Sequence, residues 1–366
     1  MNQGLKINNK LLPISWLYGI GIGIRNKLFD WNFFPVEEFS VPVISIGNLA
    51  VGGTGKTPHI EYLIRLLSPN YKVAVLSRGY KRKTSGFILA DENANSERIG
   101  DEPAQMHQKF PEILVAVDAN RRRGINQLLK LPNNIRPEVI LLDDAFQHRY
   151  VKPSLSILLT DYRRLFDKDK LLPAGRLREP AKNKKRANII IVTKCPEELD
   201  VQTHNTIKKA IDISTEQQLF FSAFQYKKLH AVFGEKRSLL LSELKEKNCS
   251  IFLITGIAAP QNLIKHLGNY TENLETRLFP DHHFFSRQEI EKIREDFQDI
   301  STQNKIIITT EKDAVRLMSM DAFPQELRPY VYSLPIEVIF ILNQENLFIQ
   351  KIEEHVKDFT RNRILA

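Results

Sequence analysis

Lys56 and Thr57 close the stretch "NLAVGGTGKTPHI", residues 48–60, in which Gly52, Gly53 and Gly55 precede them. A glycine-rich turn between a strand and a helix lets backbone N–H groups wrap phosphate oxygens. The pattern for such a turn is G-x-x-x-x-G-K-[ST], and Gly55-Lys56-Thr57 supply its end. Its first position here is Ala50. Ala50, Val51, Gly52, Gly53, Thr54, Gly55, Lys56 and Thr57 are therefore the nucleotide-binding candidates. Lys56 would bridge the β- and γ-phosphates, and the Thr57 hydroxyl would ligate Mg²⁺. A loop of this kind does not by itself separate kinases from GTPases or motor ATPases.

Carboxylates are the next candidates. In "VILLDDAFQH" four apolar residues run straight into Asp143 and Asp144. The end of a buried strand is where such proteins hold magnesium, although strand-end turns also favour aspartate. His148 follows in the same loop and could touch an anionic substrate. In "RIGDEPAQM" Asp101 precedes Glu102 and Pro103, which suits a helix N-cap and equally a rigidly held base for a hydroxyl proton. "FPDHHFF" places Asp281, His282 and His283 between aromatics, a weak metal pattern but a plausible Asp-His loop. "TTEKDAVRL" reads as a helix start with acidic residues in its first turn. "VTKC" is similar to the base-reading loop of P-loop proteins.

The elements that position these groups alternate. Expected strands cover 42–46, 73–76, 113–116, 139–142, 155–159 and 189–192, with helices over 57–67, 103–109, 122–129 and 197–210 between them. Buried β-branched strands alternating with helices imply a mostly parallel sheet covered on both faces. A second alternation begins near residue 225, with strands at 251–254 and 305–309, helices at 261–267 and 286–299, and an apolar run at 337–341. The expected organisation is an N-terminal segment 1–30, a P-loop domain 31–225 and a smaller α/β domain 226–366. At 366 residues the chain is long enough for two cores.

The formal charge of +9 favours an anionic partner. Ten basic residues against three acidic ones lie between Arg163 and Arg186, around "LLPAGRLREP". No interleaved aromatic-basic surface points to nucleic acid. The two cysteines, Cys195 and Cys249, have no metal spacing, consistent with a reduced compartment. "LLPISWLYGIGIGI", 14 uncharged residues flanked by Lys6, Lys10, Arg25 and Lys27, is shorter than the roughly 20 needed to span a bilayer. It is either a helix packed on the core or an interfacial anchor, with Trp16 and Tyr18 at the headgroups.

Read in order, "SIGNLAVGGTGKTPH", "SRGYKR", "GDEPAQM", "LDDAFQH", "LLPAGRLREP", "VTKC", "GIAAP", "FPDHHFF" and "TTEKDAVRL" span residues 45–317. This series resembles the tetraacyldisaccharide 4′-kinase family, the lipid A 4′-kinases. Ala50 fits, since that family commonly lacks the first glycine of the loop, whereas Arg176 departs from a frequent proline. The resemblance implies two α/β/α domains joined by a hinge, the active site between them, and an interfacial N-terminal helix. It implies phosphoryl transfer from ATP, with Mg²⁺, to the 4′-hydroxyl of a tetraacylated glucosamine disaccharide 1-phosphate, giving lipid IVA. It further implies a monomer held peripherally on the cytoplasmic face of the inner membrane, with no nucleic-acid partner. Carried over by motif, Asp101 and His282 act with Lys56 in catalysis, the choice between His282 and His283 being open. Thr57, Asp143 and Glu179 serve the metal, and Asp144, Tyr80, Arg121 and His148 serve the substrate. The competing reading is a soluble P-loop GTPase or ATPase switch, or a metallochaperone, which leaves the apolar N-terminus unexplained.

Overall fold

The computed structural model describes residues 7–234, 237–281, 283–320 and 323–364. The chain divides into two compact units. The first comprises the described residues up to 93, then 106–224 and everything from 338 onward; the second comprises 94–105 and 225–337. These are not the contiguous blocks 31–225 and 226–366 that the pattern suggests. The C-terminal helix Glu345–Ile364 belongs to the first unit because Phe348, Ile352 and Val356 pack into that unit's core. The boundary near 94–105 falls inside the helix Asp101–Lys109, so Asp101 counts with the second unit.

The strands in chain order are β1 Val43–Asn48, β2 Val73–Ser77, β3 Ile88–Leu89, β4 Leu114–Val117, β5 Val139–Asp143, β6 Leu155–Asp161, β7 Ile189–Thr193 and β8 Gln218–Tyr226. There follow β9 Leu229–Ala231, β10 Ser238–Leu239, β11 Ser250–Thr255, β12 Leu274–Leu278, β13 Lys305–Thr310, β14 Val331–Leu334 and β15 Ile336–Phe340. Among the described residues the large sheet has the order β15-β8-β7-β6-β1-β5-β2-β4-β3. Pairing is parallel from β8 through β4, while the short edge strand β3 is antiparallel to its neighbour β4. Alternate residues feed cores on the two faces: Ile189 and Ile191 join one, Ile190 and Val192 the other. Fully buried strands of this kind are the reason the apolar runs are continuous.

Strand β1 lies at the switch point. The chain builds β2 to β5 on one side of it, then crosses to place β6 on the other. Crevices at such points are where open α/β sheets bind ligands.

The second unit has its own sheet, ordered β10-β9-β14-β13-β11-β12, parallel from β14 to β12. Ile251 and Leu253 enter one core and Phe252 and Ile254 another, so this sheet too is covered on both faces.

The N-terminal helix runs Leu12–Asp30, longer than the apolar stretch itself. Among the described residues no helix is long and apolar enough to cross a membrane. Its inward face is largely polar. Ser15 donates to the Leu171 carbonyl at 3.0 Å, and Tyr18 donates to the Arg178 carbonyl at 2.9 Å. Arg149 reaches the Asn26 carbonyl at 2.9 Å and Asp30 at 2.7 Å, while Phe29 fills the remaining buried position. The apolar residues face away: Trp16 is 73% exposed and Leu17 70%, and Ile14, Ile20 and Ile24 are all more than half exposed. The helix thus packs on the protein through Ser15, Tyr18, Asn26 and Phe29 and leaves these apolar side chains outward.

Candidate active site

The loop that follows β1 is held from outside. Val51 N–H donates to the Arg176 carbonyl at 2.8 Å, and Arg178 N–H to the Leu49 carbonyl at 2.7 Å. Asn48 donates to the Thr54 hydroxyl at 2.8 Å, and the Thr193 hydroxyl to the Thr54 carbonyl at 2.8 Å. Lys194, paired with Asp161 at 2.8 Å, donates to the Gly53 carbonyl. Most of these restraints engage carbonyls, and a phosphate needs the opposite groups, the amide N–H donors. Thr193 and Lys194 of "VTKC" thus brace the loop.

Gly55 could be no other residue. Its φ is +87°, and a Cβ there would meet Phe224 Cζ at 2.5 Å. His59, one turn into the helix Lys56–Leu67, donates from Nδ1 to the Gly55 carbonyl at 2.7 Å and faces Ser222 Oγ with Nε2 at 3.0 Å. Burial pushes its imidazole down to about 4 and outweighs the opposing hydrogen bond to the Gly55 carbonyl. The folded state therefore holds a neutral ring, whereas the unfolded chain takes up a proton near the ordinary value of about 6.5. Stability from this group is complete above that pH and is lost as pH falls from about 6.5 towards 4, on the order of 3 kcal/mol in all. Melting temperature measured from pH 7.5 down to 5 is expected to fall less steeply for His59→Asn than for wild type. Parallel slopes would contradict the buried neutral ring.

Lys56 lies 3.6 Å from Asp144, whose other oxygen contact is Arg178 at 2.9 Å. Burial alone would raise the Asp144 carboxyl, but Lys56, Arg178 and Arg121 outweigh it and hold it below the ordinary carboxylate range. Asp143 ends β5, and its Oδ2 accepts from Ser77 Oγ at 2.8 Å. "DDAFQH" approaches β1 closely because Gly47 has no side chain: a Cβ there would meet Phe146 Cβ at 2.7 Å. Among the described residues no cluster of three His, Cys, Asp or Glu could hold a metal by itself. Mg²⁺ bound with a nucleotide takes one or two protein oxygens and completes its shell from phosphates and water. Thr57 and the Ser77-oriented Asp143 are oxygen donors of the right type. Glu179, the third metal candidate, is fully buried, and its Oε2 is taken by Arg186 and by Asn183 at 2.7 Å. Its Oε1 is buried with no partner among the described residues.

The substrate candidates divide. Arg121 is buried, donates to the Asp143 carbonyl at 3.2 Å, and keeps a buried Nε with no partner among the described residues. His148 Nε2 is likewise buried and unpartnered. Burial first, then Arg121, Arg25, Arg122 and Arg78, push its imidazole down to about 4. Tyr80 is 55% exposed beside Lys81.

In the second unit Asp101 is the first residue of its helix, not the cap before it. Its buried carboxylate accepts from Arg316 Nη2 at 2.5 Å and Nε at 3.2 Å. Arg316 in turn donates from Nη1 to Asp313 at 2.7 Å. Lys312 joins Glu102 at 2.9 Å and Asp281 at 3.7 Å. His283 stacks on Phe279 and bonds Glu289 at 3.0 Å within the capping box of the helix Arg287–Asp299. His282 lies outside the described residues, as does Lys6.

Sequence reasoning assigned no role to Arg178, Lys194, His59 or Arg316. The only signal available was their position inside "LREP", "VTKC", "GKTPH" and "TTEKDAVRL".

A glycine loop at the switch point of a parallel sheet, with lysine, threonine and a strand-end aspartate, defines a P-loop nucleotide-binding protein. A family model described as tetraacyldisaccharide-1-P 4′-kinase matches residues 7–357, and the chain belongs to that family. It is similar to a tetraacyldisaccharide 4′-kinase of Bacteroides thetaiotaomicron, 51% identical over 98% of this chain and 96% of that one. A relative of the same name from Flavobacterium johnsoniae is 47% identical over 95% and 97% of the two chains. Among solved structures, LpxK from Aquifex aeolicus in complex with ATP matches with a TM-score of 0.72 and 31% identity, over 95% of this chain and 99% of that one.

Proposed function

We propose that this protein transfers the γ-phosphoryl group of ATP to the 4′-hydroxyl of a tetraacylated glucosamine disaccharide 1-phosphate, yielding lipid IVA. The observation that carries the reading is the braced loop with Lys56 at its end, in a chain similar along its whole length to kinases of that name. The acceptor oxygen forms a bond to the γ-phosphorus as the bond to the β–γ bridging oxygen breaks, and ADP leaves with that oxygen. Lys56 neutralises charge on the transferring group. Asp101 accepts the hydroxyl proton, with His282 as its partner, since His283 is committed to Glu289. Thr57 and Asp143 would hold Mg²⁺, which when bound offsets the charge of the β- and γ-phosphates. The unpartnered nitrogens of Arg121 and His148 suit the anionic sugar-phosphate head. ADP formation in detergent micelles is expected only when the acylated acceptor is added, with the new phosphate at the 4′ position. Turnover indifferent to acceptor would favour the ATPase-switch reading.

The acceptor's chains keep it in the bilayer, because exposing each CH₂ costs about 0.8 kcal/mol. The enzyme must come to the membrane. The outward row Ile14, Leu17, Ile20 and Ile24, with Trp16, Lys10 and Lys27 beside it, is a surface for peripheral docking, at the cytoplasmic face of the inner membrane. Trp16→Ser with Leu17→Ser is expected to weaken flotation with anionic liposomes and raise the KM for lipid. Because both side chains are exposed, melting temperature and the KM for ATP should hold. Undiminished flotation would refute the docking role.

A further inference from the structure

We infer that Arg316, oriented by Asp313, is a positioning residue that fixes the Asp101 carboxylate and keeps it ionised for proton acceptance. The inference rests on the reading of Asp101 as the base and extends it to the motif "TTEKDAVRL", which otherwise reads as an ordinary helix start. Helix Glu311–Met318 does begin there, with Thr310 as its N-cap. Its first turn also does something a capped start does not require.

Asp313 is fully buried and saturated: Oδ2 accepts from Thr310 Oγ1 at 2.7 Å, Thr255 Oγ1 at 2.9 Å and Gly256 N–H at 3.0 Å, while Oδ1 takes Arg316 at 2.7 Å. Four contacts leave that carboxylate one orientation. Arg316, 3% exposed, is locked by it one turn on and presents Nε and Nη2 to a single oxygen of Asp101. The guanidinium fork is planar and rigid, so fixing one edge fixes the other. Three motifs distant in sequence, "TGIAAP", "GDEP" and "TTEKDAVR", meet at the Asp313–Arg316 pair: the first through Asp313, the second through Arg316.

The electrostatics follow from the count of charges. Two buried carboxylates flank one cation, and without it the Asp101 carboxylate would be left buried without its opposite charge. Among the described residues, Glu102 at that end of the helix is paired with Lys312, and Asp281 also faces Lys312. Neither supplies a cation free to replace Arg316. A protonated Asp101 cannot accept the substrate's proton, so losing Arg316 removes the base at neutral pH without touching the nucleotide loop.

The test compares Arg316→Met, Arg316→Lys, Asp313→Asn and Asp101→Asn in the full-length enzyme, measuring kcat from pH 6 to 9.5, the KM for ATP and melting temperature. Arg316→Met is expected to lose about 100-fold in kcat at pH 7.5, with the acid limb displaced to higher pH and activity partly recovered at alkaline pH. Arg316→Lys keeps the charge but not the fork, so it should keep the wild-type pH limb at reduced kcat. Asp313→Asn should lower kcat with the KM for ATP unchanged. If Arg316→Met is too unstable to assay, Arg316→Lys and Asp313→Asn decide. Wild-type kcat and pH limb per folded molecule in those variants would overturn the inference and leave Arg316 as a structural ion pair. If Asp101→Asn itself keeps wild-type kcat, the reading of Asp101 as base fails instead.

Discussion

Lys56→Ala is expected to lower kcat by about 1000-fold, ~4 kcal/mol of transition-state stabilisation, while the protein melts near the wild-type temperature. The lysine is the first residue of its helix, and its ammonium is directed at Asp144 at 3.6 Å. A positive group held beside the transferring phosphoryl in a partly enclosed site is worth several kcal/mol, because charge accumulates there only as the reaction proceeds. Removing it should cost little stability for a specific reason. Asp144 keeps its contact with Arg178 at 2.9 Å, so no carboxylate is stranded. Acceptor-dependent ADP release with saturating ATP and micellar acceptor checks the first half, and thermal melting the second. Activity within about tenfold of wild type, only ~1.4 kcal/mol, would remove the phosphate-binding role from this loop.

Asp101→Asn is expected to reduce kcat by about 1000-fold, within the range general-base catalysis supplies, with the KM for ATP nearly unchanged. The amide is isosteric and its oxygen still accepts from Arg316, but it takes no proton from a substrate hydroxyl. If Asp101 were a helix cap alone, asparagine would serve as well and little would change. The ion pair with Arg316 also sets the expected effect on stability. Its two side chains are only 5% and 1% exposed, so exchanging the carboxylate for an amide weakens a buried charged contact and should lower melting by a few degrees, about 1–2 kcal/mol. Assay temperature must therefore lie well below the transition. His282→Ala should resemble Asp101→Asn, and the double variant should lose less than the sum of the two if they act as a unit. Full additivity would separate them.

Much of the first unit was legible beforehand because its signals are local. Runs such as "VISIG", "VILLD" and "NIIIVT" are continuous and apolar since both faces of a parallel strand are buried, and β1, β5, β6 and β7 fall within a residue or two of the expected ranges. The phosphate loop was legible for the same reason, being a covalent sequence of glycines whose Gly55 needs φ near +87°. Other elements carried weaker signals. Strand β12, "LETRL", is mostly exposed and alternates too little to stand out. The C-terminal helix Glu345–Ile364 shows its apolar stripe clearly only beside the sheet it covers.

The sequence by itself determined the parallel sheets, the nucleotide loop, the strand-end aspartates and the short apolar N-terminus, because each depends on neighbours within a few residues. Tertiary structure alone decided which partners those groups have. It turned the polar face of the helix Leu12–Asp30 inward, with Ser15 and Asn26 buried and Trp16 and Leu17 exposed, although hydropathy taken alone invites the reverse. It also committed Glu179 to Arg186 and His283 to Glu289. Most of all, it brought Asp101 to Arg316 across 215 residues. No periodicity encodes such a contact. It exists because a buried charge is tolerated only where the fold delivers an opposite one.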